Sequence, residues 1–213
     1  MNKKKLVTTF GSLALVGVIG VGASLAYLSD KTNTLTNTFT IGSNIDITLD
    51  EALLKDGKPD GNKRLDVNDE DGTQKYPEFV PSASFVKDPT TTVKQNSNDC
   101  WVFMYIEGAD DFNKLDLDGD EKADLAIGEW ADNVWVKADG LETRDGWYRY
   151  FKKVEEKDDD QKLTPLFRSV NVGQYTSSNK EVEVPDIVVK SAAVQADNVD
   201  EETAFETVKD IFK

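Results

Sequence analysis

The chain has 213 residues, with 25 lysines and arginines against 40 aspartates and glutamates, a formal net charge of −15 and no histidine. Such an acidic surface repels nucleic acid and anionic lipid and favours divalent cations, while the missing imidazole removes the usual general base at neutral pH, the Ser-His nucleophile pair and every zinc site built on histidine. A single cysteine, Cys100, excludes an internal disulfide, and without a histidine to activate it Cys100 reads as a buried strand residue rather than a nucleophile.

The chain opens with the layout of an export signal. Lys3, Lys4 and Lys5 form a basic start, Leu13 to Leu25 is apolar and rich in glycine and alanine, and Ser24-Leu25-Ala26 gives the small-x-small pattern that a signal peptidase cuts. The expectation is a signal peptide over residues 1–26, a cut between Ala26 and Tyr27, and a secreted product that meets the membrane only through the uncleaved signal. A retained anchor is the alternative, but the uncharged run is diluted by Gly, Thr and Ser and no basic cluster follows it. Without the three signal lysines, 187 residues remain with 22 basic and 40 acidic side chains, a formal charge of −18. That length suits one domain with a sizeable core.

Residues 27–37 are polar and rich in Thr and Asn, with Leu28 and Leu35 as sparse apolar anchors, and form an extended segment with no core of its own. A single β domain is expected over residues 38–213. From Thr38 to Leu49, Phe39, Ile41, Ile45, Ile47 and Leu49 recur at period two around Gly42-Ser43, which predicts two short strand pieces or one bulged strand. Glu51 to Lys75 is polar and predicts a long surface loop. The stretch Cys100 to Ile106 alternates Cys100, Val102, Met104 and Ile106 with Trp101, Phe103 and Tyr105. Both faces are apolar, so this strand is covered on each side or keeps one face for another chain.

Further strands are expected at Phe79 to Lys87, Thr90 to Lys94, Asn133 to Lys137, Trp147 to Val154, Leu166 to Val172, and Glu181 to Val194 with an interruption at Pro185. Only the tail reads as helix: Asp200 is the N-cap, acids fill the first turn, and Ala204, Phe205, Val208, Ile211 and Phe212 make one apolar face. Many short strands and one terminal helix predict an all-β antiparallel sandwich of jelly-roll or immunoglobulin-like type, with long surface loops and a short C-terminal helix.

The sharpest local motif is Asp116-Leu-Asp118-Gly119-Asp120-Glu-Lys-Ala-Asp124. Carboxylates at alternate positions, a glycine for the turn and a fourth acid further on let a short loop wrap oxygens around one hard cation. Calcium is the expected ion, held by Asp116, Asp118, Asp120 and Asp124 with the backbone carbonyl of Lys122. A solvated acidic turn is the plainer alternative, and the spacing is not that of an EF-hand. A looser acidic run from Asp66 to Gly72 and the triplet Asp158-Asp159-Asp160 read as solvated loops. The aromatics Trp101, Trp130, Trp135, Trp147, Tyr148, Tyr150 and Phe151 suit core packing better than a carbohydrate platform.

Several segments together resemble one family. Ala26-Tyr27-Leu28-Ser29-Asp30 behind the Lys-rich apolar signal is similar to sites cut by SipW-type signal peptidases of Gram-positive bacteria. Asn37 to Gly42, Ile45 to Leu49, Val86-Lys87-Asp88-Pro89 with the strand after it, Asp145 to Tyr150, Thr164 to Phe167 and Ala193 to Ala196 resemble recurrent segments of the camelysin/TasA family. The resemblance implies a jelly-roll sandwich exported by that peptidase. It also implies assembly with itself or with related matrix subunits into biofilm-matrix fibres, the mature N-terminal segment of one subunit (Tyr27, Leu28, Leu35) completing the sheet of the next. The family also carries a metallo-endopeptidase label, which a chain without HExxH or any histidine gives no reason to inherit. A structural role without catalysis is therefore the expectation, with a camelysin-type peptidase and a calcium-dependent carbohydrate-binding adhesin as alternatives.

Overall fold

The computed structural model describes residues 36–37, 44–66, 74, 76, 78–176 and 182–212. The signal, the cut at Ala26 and Tyr27, and the proposed anchors Leu28 and Leu35 lie outside them, as does most of the acidic run beginning at Asp66. In chain order the elements are β1 Thr36–Asn37, β2 Ile47–Lys55, β3 Lys58–Asp66, β4 Ser84–Val86, β5 Thr90–Val93, β6 Cys100–Glu107, α1 Ala109–Phe112, β7 Leu125–Gly128, β8 Trp135–Lys137, β9 Gly146–Tyr150, β10 Gln161–Lys162, β11 Ser169–Val172, β12 Val188–Gln195 and α2 Glu201–Val208. The protein is mostly β, its sheets antiparallel apart from one edge pair, with a short C-terminal helix.

Three sheets share the strands, in the orders β1-β12-β6-β9-β8, β10-β5-β2-β3 and β4-β11-β7. The main core lies between the first sheet and the other two. Cys100, Val102, Met104, Ile106, Val189 and Ala193 point into it from one side, and Leu49, Val93, Leu125 and Val170 from the other. A buried hydrogen bond of 2.7 Å between the Thr91 and Ser191 hydroxyls ties β5 to β12 across this layer. The opposite face of the first sheet is covered by α2. Phe103, Trp147, Ala192 and Val194 meet Ala204 and Val208 there, and the Trp147 and Phe212 rings stack at 5.2 Å. The two apolar faces of the Cys100 strand are thus both used within the chain. Asp200 caps α2 as its position predicts, accepting from the Thr203 N–H at 2.8 Å.

The predicted loop over residues 51–75 is corrected for most of its length. The β2 strand runs on to Lys55, and β3 folds back on it through Asp56-Gly57, both at positive φ (51° and 75°) as a two-residue hairpin turn requires. No apolar alternation marks β3 because it is an edge strand with little core to face. Pro59, Gly61 and the exposed Lys58 and Lys63 suit an edge that must not recruit another strand. Its anchor is Arg64, whose guanidinium holds Asp50 and Asp88 at 2.6 Å each and Thr90 at 3.0 Å.

Other strands are shorter than the pattern suggested. Residues 79–87 give only β4, 133–137 only β8, and 166–172 only β11. The 147–154 stretch ends as β9 at Tyr150, with Val154 bridging to Cys100 alone. Of residues 38–49 only 44–49 are described, and β2 begins at Ile47. The α1 turn, β7 and β10 carry too few residues for periodicity to show, so the tail is not the only helix. Entry into α1 depends on Gly108 at φ 84°, where a Cβ would overlap the Asp186 carbonyl oxygen.

Candidate metal-binding loop and assembly edge

The acidic motif occupies the connection from α1 to β7. A glycine at Gly119 (φ 83°) and Glu121 (φ 68°) supply the left-handed turns that curl it. The positive φ of Glu121 is one that glycine would adopt without strain. Asp116, Asp118 and Asp120 each offer a carboxylate oxygen, all within 4.8 Å of one another. Asp116 accepts from the N–H groups of Gly119 at 2.6 Å, Glu121 at 2.9 Å and Asp118 at 3.2 Å. Desolvation opposes the charge on Asp116, but these donors outweigh it and hold the carboxyl below the usual range. Asp118 is likewise held low by Thr176, whose N–H and hydroxyl donate to it at 2.7 and 3.0 Å. Asp116 Oδ2 and Asp118 Oδ1 each accept a single N–H, from Glu121 and Asp120, and so keep a lone pair free, which makes the loop a preformed cluster of negative charge that suits a hard cation.

Of the other predicted ligands, Asp124 lies outside this group of three carboxylates. Asp124 is buried, and its carboxylate accepts from the Leu117 N–H at 2.8 Å. Its own N–H donates to Leu115 and its carbonyl accepts from Gly173, so Asp124 fastens the base of the loop. Lys122 puts its ammonium on Asp120 at 2.6 Å, and that exposed pair raises the Lys122 pKa. Thr176, 58 residues beyond Asp118, has no counterpart in the local motif and could not be read from it.

The second candidate feature is the edge of the five-stranded sheet. One side of β12 pairs with β6 over all eight residues; on the other side the described partner is β1, in parallel, with Thr36 opposite Lys190 and Asn37 opposite Ser191. Of the 27–37 segment, these two residues are the described part. Among the described residues the rest of that β12 edge has no strand partner. At the far edge lies β8, with Val136 exposed.

The aromatics chiefly fill the core. Trp135, Trp147 and Tyr148 are buried, and the indole N–H groups of Trp101, Trp130 and Trp135 donate to the carbonyls of Val199, Ile127 and Thr164. Only Phe151 among the candidate platform residues is widely exposed. The Cys100 thiol is fully buried, and burial, with a smaller contribution from Asp99, pushes its pKa up to about 12. Iodoacetamide is therefore expected to leave Cys100 unlabelled in the folded protein for as long as it takes to label the unfolded chain completely. Rapid stoichiometric labelling of the native form would contradict this burial.

Comparison with known proteins found no matching family model, no similar curated protein and no similar solved structure.

Proposed function

We propose that this protein is an exported structural subunit of the cell surface or biofilm matrix, a jelly-roll sandwich that polymerises by strand addition. The observation that carries the reading is the edge of β12. The chain brings the end of the segment that follows the expected signal cut to an eight-residue strand, and among the described residues Thr36 and Asn37 pair with it. Main-chain hydrogen bonds along such an edge bind an extended segment of almost any polar sequence, which suits the Thr/Asn-rich residues 27–37. Release by a SipW-type peptidase frees that segment at the cell surface, so assembly waits for export. The partners are further copies of this chain or related matrix subunits. The lack of histidine and the buried thiol support a structural role over a peptidase.

Electron microscopy of the mature protein, with and without calcium, tests the reading beside a casein digestion assay and a glycan array. Fibres from pure protein are expected. EDTA-sensitive proteolysis would point to the peptidase instead, and glycan binding by a strictly monomeric form to the adhesin.

Calcium is the proposed ligand of the Asp116, Asp118 and Asp120 loop. Extracellular calcium modules often bind at about 0.1–1 mM, so calorimetric titration belongs in that range. The heat of binding is expected to vanish in Asp118→Ala and in Asp120→Ala. Unchanged binding in both variants would remove the site.

A further inference from the structure

The molecule buries one lysine, one glutamate and one glutamine side by side beneath the β2–β3 hairpin. Lys87, Glu51 and Gln74 are 2 %, 0 % and 3 % exposed. The Lys87 ammonium donates to one oxygen of Glu51 at 2.8 Å, and the Gln74 amide nitrogen donates to the other at 3.3 Å. A single carboxylate thus holds both an amine and an amide. The amide has one orientation, because its nitrogen also donates to the Ala52 carbonyl at 3.1 Å and its oxygen accepts from the Leu54 N–H at 2.6 Å. Those two backbone groups flank the irregularity in β2, where the ladder with β3 shifts register. The Tyr76 ring lies 5.6 Å from the ammonium and closes the site from above.

We propose that Lys87 and Gln74 join in an intramolecular isopeptide bond, with Glu51 carrying the protons. Glu51 takes a proton from the ammonium, and the freed amine attacks Cδ of Gln74. A C–N bond forms while the carbonyl electron pair moves onto Oε1, toward the Leu54 N–H that already donates there. Collapse restores the carbonyl and breaks the bond from Cδ to Nε2. Of the three protons on Nζ, one stays on the new amide, one passes through Glu51 to Nε2, which departs as ammonia, and one remains on Glu51. Glu51 ends protonated and neutral, so no unpaired charge is left buried, and no oxidant or cofactor is consumed. Two features favour the reaction over hydrolysis: the site is closed to water, and neutral groups replace a buried ion pair, whose desolvation is costly. The bond closes the loop from residue 74 to 87, a covalent staple in an exported chain that has only one cysteine.

Mass spectrometry of the folded mature protein, held at neutral pH until its mass is constant, tests this whether or not fibres form. The expected intact mass is lower than the sequence value by one ammonia. Trypsin should fail to cut after Lys87 and should yield a branched peptide joining residues 65–75 to 76–94. That branch separates the isopeptide from an asparagine succinimide, which also sheds ammonia. K87R and E51Q, where circular dichroism shows them folded, should keep the full mass. Full mass in the unsubstituted protein, with Gln74 and Lys87 recovered in separate unmodified peptides, would overturn the proposal. Ammonia loss at an unchanged rate in E51Q would overturn the role of Glu51.

Discussion

Removal of residues 27–36 from the mature chain is expected to abolish polymerisation and leave the β domain folded. Among the described residues, the first to pack into either hydrophobic core are Ile45 and Ile47. The segment's one described residue, Thr36, lies on the sheet edge opposite Lys190 of β12, followed by Asn37 opposite Ser191. An extended residue spans about 3.3 Å, so ten residues reach roughly 33 Å, enough to lie along an eight-residue strand of a neighbouring subunit. Strand addition leaves open edges only at the ends of a polymer, and without the donor no such growth occurs. The truncated protein should remain monomeric by light scattering at concentrations where the mature form polymerises, with an unchanged circular dichroism spectrum. Fibres of normal morphology from the truncated protein would exclude the mechanism and leave side-by-side packing of intact subunits as the better account.

Phe103→Ala is expected to cost about 3–5 kcal/mol of stability, the range for deleting a fully buried phenylalanine. Phe103 is 0 % exposed on the β6 face that receives α2, with its ring centroid 6.0 Å from Phe205 and 6.4 Å from Trp147. Both neighbours belong to other elements, so the cavity cannot close without moving β9 or α2. For a domain of this size the loss corresponds to a fall in Tm of roughly 6–20 °C. Phe151→Ala is the control. That ring is 46 % exposed, and its removal should change stability by no more than about 0.5 kcal/mol. Urea unfolding of the three proteins measures the difference; a cost for Phe103→Ala no larger than the control's would mean that α2 does not seat on this face.

Much of the architecture was legible before any coordinates. The alternation through residues 100–106 marks β6 as a strand whose two faces must both be covered, by this chain or by another, and in the structure both are covered within the chain. The helix at the C-terminus and its Asp200 cap were equally plain, since capping and 3.6-residue periodicity are local properties. The convergence of Asp116, Asp118 and Asp120 follows from their alternate spacing around Gly119, a matter of a few backbone angles. Composition by itself removed imidazole chemistry and internal disulfides.

Long-range packing decided the rest. The β2–β3 hairpin hid in a polar run because an edge strand has no partner on one side and needs no apolar face. Its only local sign was Asp56-Gly57. Asp124 has the same chemistry as its three neighbours in the motif, yet the fold turns it inward to the Leu117 N–H. Asp118 meets Thr176 across 58 residues of chain, and Glu51 meets Lys87 and Gln74 across 36 and 23. Such encounters depend on which strands become neighbours and at what register. The burial of the whole core sets that, and no spacing within a single segment records it.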